Sequence, residues 1–470
     1  MQPLQWIVLA LIALVSTGSA LHALLYKREP PAAFAWIATC LLFPVVGPVL
    51  YYLFGINRVR TRARQLRQPL GYNPDRTDHD DPPVPAAFRT QAQISGAVAG
   101  LAITAGNRIE PLSGGEQAYP AMLEAIAGAR HRVYLSTYIF ESNHSGERFI
   151  TALSAAHQRG VDVRVLLDGA GEWYSWPRAR RALRRAGVAT VRFLPPRLLP
   201  PNPVINLRNH RKLLIIDGRE AFTGGMNIGD RHLMDRPRGR RGVRDLHFRI
   251  EGALTTQLEQ VFLDDWAFAS DAAPTPPTPL PPPPAGAGTA LARTLVDGPN
   301  EDLQRLTMVL VGAVAAAREH IAIMTPYFLP PRELVAALQA AAVRGTRVDI
   351  VLPGRNNLPF MHWATRNMLW ELVKWGVRVY YQDGAFDHTK LLVVDGHYTQ
   401  LGSANLDPRS LRLNFEVVVE VYDEHFGAAM ASHVERARDA SERVTLESLD
   451  ARPLLPRIRD AIAWLFTPYL

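Results

Sequence analysis

Cysteine is almost missing from this sequence: there is one, Cys40, in 470 residues. That excludes an intramolecular disulfide and, with it, a cysteine-rich zinc site. Cys40 lies in an apolar run and reads as packing. Lysine is nearly as scarce. Of 52 Lys+Arg only four are lysine, namely Lys27, Lys212, Lys374 and Lys390. Lysine supplies a compact point charge where arginine supplies a planar fork, so a lysine in this chain marks a particular need. Acidic residues are absent from Arg58 to Pro74, while Arg58, Arg60, Arg62, Arg64 and Arg67 crowd the same stretch. The start "MQPLQW" has no basic residue, which argues against a cleaved secretory signal.

What is present begins with length and charge. The chain is long enough for two domains of ordinary size with additions. Its net charge of +8 and pI near 9.7 favour anionic partners. Leu4–Tyr26 and Ala32–Phe54 are apolar and long enough to span a bilayer, with "KREPP" between them. They predict a transmembrane hairpin, its second arm kinked or shallow because of Pro44, Gly47 and Pro48. His22 reads as an interfacial residue. The arginines that follow place the rest of the chain on the cytoplasmic side by the positive-inside rule.

Two of the four lysines sit in matching surroundings. "NHRKLLIIDG" contains His210, Lys212 and Asp217, and "DHTKLLVVDG" contains His388, Lys390 and Asp395. After each aspartate, at one spacing, comes "GGMN" with Asn227 or "GSAN" with Ser403 and Asn405. The apolar run after each lysine reads as a buried strand and "DG" as a hairpin turn. Alternation along a strand puts the histidine and lysine on one face. The repeat extends upstream: "HRVYLSTYIF" parallels "EHIAIMTPYF", and "RGVDVRVLLD" parallels "RGTRVDIVLP". Strands alternating with alanine-rich helical segments give an α/β class. The duplication predicts two half-domains related by a pseudo-twofold axis, which would bring the two His-x-Lys strands face to face.

A pocket with two imidazoles, two ammoniums and two carboxamides, and no motif carboxylate pair for a metal, suits a phosphodiester. One neutral histidine can attack phosphorus while the other, protonated, serves the leaving alcohol. Lysines and asparagines can stabilise the phosphoryl oxygens. The residues alone leave open which histidine does which. Asp217 and Asp395 lie some way along the strand and read as closing the turn. Asp245 in "RDLH" and Glu416 in "LNFE" are candidates for orienting the histidines, or else make ordinary salt bridges.

The doubled motif, with "GGMNIGD", "RDLHFRIEG", "TPYFLPPREL" and "GSANLDPRSLRLNFE", resembles the phospholipase D superfamily, and specifically the bacterial cardiolipin synthases. "PVVGPVLYYLFG" ahead of the arginines resembles their membrane-anchor segment. The resemblance implies a cofactor-free and metal-free phosphatidyltransferase that joins two phosphatidylglycerols into cardiolipin and releases glycerol through a phosphohistidine. It implies His210 as nucleophile and His388 as acid/base. The catalytic set it implies is His210, Lys212, Asp217, His388, Lys390 and Asp395, with Asn227, Ser403, Asn405, Asp245 and Glu416 binding phosphate or orienting. Asp387 stands where the family pattern expects an uncharged residue and should face away from His388.

The expected organisation is a membrane anchor over 1–67, a linker over 68–100, and a first phospholipase D-like half over 101–270. A proline-rich linker over 271–289, a second half over 290–445 and an amphipathic tail over 446–470 complete it. Both halves are expected to be mixed sheets flanked by helices. The expected location is a bacterial cell membrane, multi-pass, with phosphatidylglycerol and an anionic bilayer as partners and no nucleic acid; the sequence is silent on oligomeric state. "NNLPFMHW" reads as a lipid entrance or as core, the tail as core or membrane contact, and "WPRARRALRRAG" and "DRPRGRRGVRD" as solvated faces or headgroup contacts. The competing functions are a phospholipase D-type hydrolase or a synthase with another donor, a membrane-tethered nuclease, and a non-catalytic lipid-binding scaffold.

Overall fold

The computed structural model describes residues 3–27, 30–55, 81–196, 207–234, 242–270, 286–298 and 304–467. The arginine-rich flank after Asn57, most of the proline-rich linker and residues 235–241 of "DRPRGRRGVRD" lie outside the described residues. The chain divides into two compact units, Met1–Gln65 and Leu66–Leu470.

In the first unit the helix Pro3–Tyr26 is long and apolar enough to cross a membrane. The second apolar run does not make an equal partner. It forms a helix over Pro30–Leu42, breaks, and continues through Val46–Leu50 into a π turn over Tyr51–Gly55. A Cβ on Gly47 would meet the Thr39 carbonyl oxygen at 2.2 Å, so the chain folds back closely there. His22 has a specific partner: its Nδ1 lies 2.8 Å from the Tyr51 hydroxyl.

Among the described residues the second unit is built on one sheet of fifteen strands. The first half supplies β1 (Thr104–Ser113), β2 (Arg132–Thr137), β3 (Asp162–Asp168), β4 (Ala189–Phe193), β5 (Leu213–Ile216), β6 (Glu220–Gly224) and β7 (Leu246–Glu251). The second supplies β8 (Ala290–Asp297), β9 (His320–Met324), β10 (Arg347–Pro353), β11 (Arg378–Gln382), β12 (Leu391–Val394), β13 (Tyr398–Gly402) and β14 (Glu416–Tyr422), with a short β15 (Ser441–Arg443) at the edge. Within the halves the orders are β4-β3-β2-β5-β6-β7-β1 and β11-β10-β9-β12-β13-β14-β8. The duplication seen in the sequence is thus a duplication of topology, and antiparallel β1–β8 pairing fuses the two sheets. In each half three strands are parallel, as their helical crossovers require, and the rest antiparallel.

Each motif strand runs antiparallel to the strand beside it, Ser136 opposite Leu213 and Met324 opposite Leu391. The residues that lead into β5 and β12 therefore lie at the carboxyl ends of β2 and β9. His210 and Lys212 stand just ahead of their strand, on extended chain. The "DG" turns form as expected. Asp217 and Gly218, and likewise Asp395 and Gly396, all have positive φ, which a type I′ turn demands.

The linker expected over 68–100 does not hold at its described end. Arg89–Ala99 is a helix. Its Gln91 is fully buried and donates to the Val309 carbonyl and the Tyr398 hydroxyl, both at 3.1 Å. A helix whose buried face is partly polar and satisfied by hydrogen bonds leaves little hydrophobic period in the sequence. At the other end, Leu454–Leu465 is a helix that packs on Pro359–Val373 through Asp460 and Ala463.

Candidate active site

The two halves exchange backbone hydrogen bonds where the motifs begin. The His210 N–H donates to the Phe415 carbonyl at 2.9 Å, and the His388 N–H donates to the Arg244 carbonyl at 2.7 Å. Each histidine is thus laid beside the residue that precedes a carboxylate of the other half. The side chains complete the exchange. His210 Nδ1 is 3.0 Å from Glu416, and His388 Nδ1 is 2.8 Å from Asp245 Oδ2. Gly224 opposes His247 and Gly402 opposes Val418, so Asp245 and Glu416 hold equivalent places in the repeat. With Nδ1 engaged, Nε2 is the nitrogen of each ring left for chemistry; that of His388 lies 3.2 Å from the Lys390 ammonium. Both imidazoles keep some exposure, 13% for His210 and 10% for His388, while their carboxylates have none.

Lys212 and Lys390 are buried beside the histidines; each ammonium donates to the carbonyl of the histidine two residues back. Burial, opposed by Glu416 and aided by Lys390, pushes Lys212 down to about 7. Burial, opposed by Asp245 and Glu416, pushes Lys390 down to about 8. An anion entering this pocket would restore both charges, because a buried ammonium is short of counter-charge rather than intrinsically neutral.

The two carboxylates differ. Burial alone would raise Glu416, but His210, Lys212 and the Ser403 hydroxyl outweigh it and hold the carboxyl below its usual range. Ser403 Oγ donates to Glu416 Oε2 at 2.5 Å and Asn414 Nδ2 donates to Oε1 at 3.1 Å. At Asp245 burial wins; although Lys390 opposes it, Asp387 adds to it, and the carboxyl is held well above its usual range. Position 225 is glycine where the other half has Ser403, and a Cβ there would lie 2.4 Å from Asp245 Oδ1. Asp245 therefore fills the space of the hydroxyl that supports Glu416. Burial keeps His210 below its ordinary value, and burial with Lys390 keeps His388 well below.

The other sequence candidates fall into two groups. Asn227 and Asn405 are both buried: Asn227 Oδ1 accepts from the Ile139 N–H at 3.0 Å, which leaves its amide group as a donor, and Asn405 Nδ2 donates to Ser410 Oγ at 3.2 Å. Asp217 and Asp395 are not brought to the site, and their inclusion in a catalytic set is corrected by their geometry. Asp217 accepts from the N–H groups of Arg130, His131 and Arg132 at 2.8–2.9 Å. Asp395 accepts from Arg318, Glu319 and His320 at 2.8 Å. Each clamps the start of a parallel strand at the far end of the sheet, roughly 20 Å along an extended chain from its histidine. Asp387 is buried and accepts from the Thr389 N–H at 2.9 Å.

Sequence reasoning missed several residues. Arg211, between the motif histidine and lysine, is completely buried. It pairs with Asp265 and donates to the carbonyls of Asp297 and Glu416, both at 3.0 Å. In a chain this rich in arginine it carried no signal. The Tyr138 ring stands 5.4 Å from that of His210, and the Tyr327 ring 6.1 Å from that of His388. Their recurrence in "STYIF" and "TPYFL" was a usable signal. His232 is buried, and its Nε2 accepts from the Asn227 backbone N–H at 3.2 Å.

Two fused α/β halves that exchange carboxylates across paired His-x-Lys strands define the phospholipase D superfamily. A family model described as "Cardiolipin synthase, PLD-like domain" matches residues 122–266 and 310–438, and one described as "Phospholipase_D-nuclease N-terminal" matches 7–55. The chain is 30% identical to cardiolipin synthase A of Escherichia fergusonii over 99% of this chain and 98% of that one. It is 31% identical to the major cardiolipin synthase ClsA of Bacillus subtilis over 94% of this chain and 95% of that one. Among solved structures, phosphatidylserine synthase of Haemophilus influenzae shares the fold, with TM-score 0.60 and 17% identity over 82% of this chain and the whole of that one. The chain belongs to the cardiolipin synthase family of phospholipase D-like proteins, and is a phosphatidyltransferase of that type.

Proposed function

We propose that this enzyme condenses two phosphatidylglycerol molecules into cardiolipin and glycerol, with His210 as nucleophile and the His388–Asp245 pair as acid and base. The observation that carries the assignment is the inequality of the two carboxylates. Glu416 is held ionised beside a neutral His210, which favours attack by Nε2. Asp245 is held well above its usual range beside His388, so we take the second pair to carry one more proton than the first, shared between its members.

In the first step His210 Nε2 forms a bond to phosphorus while the bond to the glycerol headgroup breaks. The leaving oxygen takes the stored proton through His388, and free glycerol departs. The pair is then a base. It removes the proton from a headgroup hydroxyl of a second phosphatidylglycerol, whose oxygen displaces His210 from phosphorus and closes the cycle. Lys212, Lys390, Asn227 and Asn405 face the phosphoryl oxygens, where charge crowds in the transition state. No step calls for a metal, and exhaustive chelation should leave the rate unchanged.

The test is product analysis with phosphatidylglycerol as sole lipid. Cardiolipin and glycerol in equal amounts are expected; phosphatidic acid as the main product would replace the synthase by a hydrolase. The N-terminal apolar runs and the arginines after them support a membrane-embedded anchor with the catalytic unit in the cytoplasm. A reporter fused after Arg67 should resist periplasmic labelling in intact cells, and strong labelling would reverse that topology.

A further inference from the structure

The mouth of the site has an apolar, arginine-flanked rim on both halves, and neither rim takes part in the chemistry above. In the first half the loop after β3 exposes Trp173, Tyr174 and Trp176, the last at 74%. The Tyr174 ring lies 6.1 Å from that of Tyr138, which itself packs on His210. The guanidiniums of Arg178 and Arg181 sit 6.0 and 5.1 Å from the centre of the Trp176 ring. Arg181 belongs to the helix Ala179–Arg185, which is mostly arginine.

In the second half the loop after β10 does the equivalent work with different residues. Asn357 accepts from the Tyr327 hydroxyl at 2.7 Å, and Tyr327 packs on His388. Leu358 and Phe360 follow, both exposed. Phe360 meets Phe466 with ring centres 5.8 Å apart, which joins the loop to the helix Leu454–Leu465. That helix buries Asp460 and Ala463 and presents Leu455, Ile458, Ile462 and Leu465 to solvent, Leu455 at 79%. Their spacing is that of one helical face. Arg459 on the same helix covers the Trp363 ring at 4.4 Å.

We infer that these two rims form one bilayer-docking surface, which seats the open mouth of the catalytic unit on anionic phospholipid. Three observations favour a bilayer over a protein partner. Each rim connects through one tyrosine to a catalytic histidine, so both lie at the carboxyl ends of the parallel strands, around the mouth. A protein covering both would plug the site. Tryptophan and tyrosine with arginine beside them is the composition of the lipid–water interface, and arginine complements anionic headgroups. An exposed apolar helical face of this kind is otherwise a liability in water. The inference rests on lipid being the substrate, and it adds a contact independent of the N-terminal apolar helix.

The test uses the full chain with Cys40→Ala, reconstituted into vesicles of phosphatidylglycerol or of phosphatidylcholine. Nitroxides are placed at Trp176→Cys, at Ile462→Cys and, as a control on the turn before β10 at the opposite end of the strands, at Arg344→Cys. In phosphatidylglycerol the first two should become accessible to oxygen and protected from aqueous nickel, while the control stays wet. In phosphatidylcholine their protection should weaken. The double variant Trp176→Asp, Ile462→Asp should lose about tenfold in turnover of bilayer phosphatidylglycerol yet stay within about twofold on monomeric short-chain phosphatidylglycerol. Probes that remain wet in phosphatidylglycerol vesicles overturn the proposal. So does protection that appears without lipid as protein concentration rises, which would mean a second copy covers the rim. Protected probes with phosphatidic acid as the product of the short-chain lipid would uphold docking and remove the synthase reading.

Discussion

The two halves are one design with one carboxylate changed. Aspartate beside glycine in the first half and glutamate beside serine in the second occupy equivalent places, yet Asp245 is raised and Glu416 lowered. The causes are local. Glu416 receives a hydroxyl and an amide hydrogen bond, whereas Asp245 Oδ1 has no hydrogen-bond partner among the described residues and feels Asp387. A pseudo-symmetric site thus acquires opposite carboxyl shifts in its two pairs from a few neighbours, without breaking the symmetry of the fold. Asp387, the departure from the family pattern, is one of the charges that raise Asp245.

The comparison can be broken most decisively at the histidines. His210→Ala and His388→Ala should each abolish turnover, because groups that act in one cycle are not additive. Trapping with labelled phosphatidylglycerol should place the covalent adduct on His210 alone; mass spectrometry that finds it on His388 would invert the roles. Next come the carboxylates. Glu416→Gln removes a carboxylate held below its usual range and should cost about a thousandfold in kcat, while Asp245→Asn replaces a carboxyl held well above it and should cost about a hundredfold. Equal losses would mean that the asymmetry has no part in the reaction.

The pH dependence of binding sharpens the picture of the lysines. Their charged forms bind the phosphodiester, and in the free enzyme Lys212 and Lys390 are pushed down to about 7 and about 8. Affinity should therefore fall as pH rises through that window, seen as a rising KM, and binding there should take up protons, measurable by calorimetry in buffers of different ionisation enthalpy. A KM flat to pH 9 would show the ammoniums fully charged before substrate arrives. Smaller still is Asp387→Asn. Removing that negative charge lowers the affinity of the second pair for its proton, so the alkaline limb of the kcat profile should move to lower pH by less than about one unit. A shift to higher pH would contradict the stored proton.

The smallest effect on chemistry, with the largest on stability, belongs to Asp217→Ala. It removes three backbone hydrogen bonds to a carboxylate and leaves alanine at positive φ, for a loss of about 3 kcal/mol in unfolding free energy. The folded fraction should keep its kcat. A specific loss of kcat would return Asp217 to the catalytic set.

The halves, the motif strands and both histidines were legible because repetition in register and alternation along a strand are local properties of sequence. Glu416 and Asp245 were legible as candidates, but not as crossed partners. Each follows the motif of its own half, and only the meeting of the two sheets gives it to the histidine of the other. The motif aspartates were legible as turn residues, and only the resemblance put them in the catalytic set. Their fixed spacing from the histidine belongs to the hairpin, which needs positive φ and a clamp on Arg130–Arg132 or Arg318–His320. Arg211 and the helix Arg89–Ala99 were hidden because buried polar groups satisfied by distant partners leave no hydrophobic period to read.

The crossed backbone bonds at His210 and His388 have a consequence for the life of the chain. During synthesis the first half leaves the ribosome before the second exists. At that moment His210 has no Glu416 and Asp245 has no His388, so the newborn half holds neither histidine–carboxylate pair. Both pairs form only when the second half closes on the first and each imidazole meets its carboxylate. On the proposed mechanism a half-built copy lying against a bilayer lacks both pairs, and should not cleave the lipids around it.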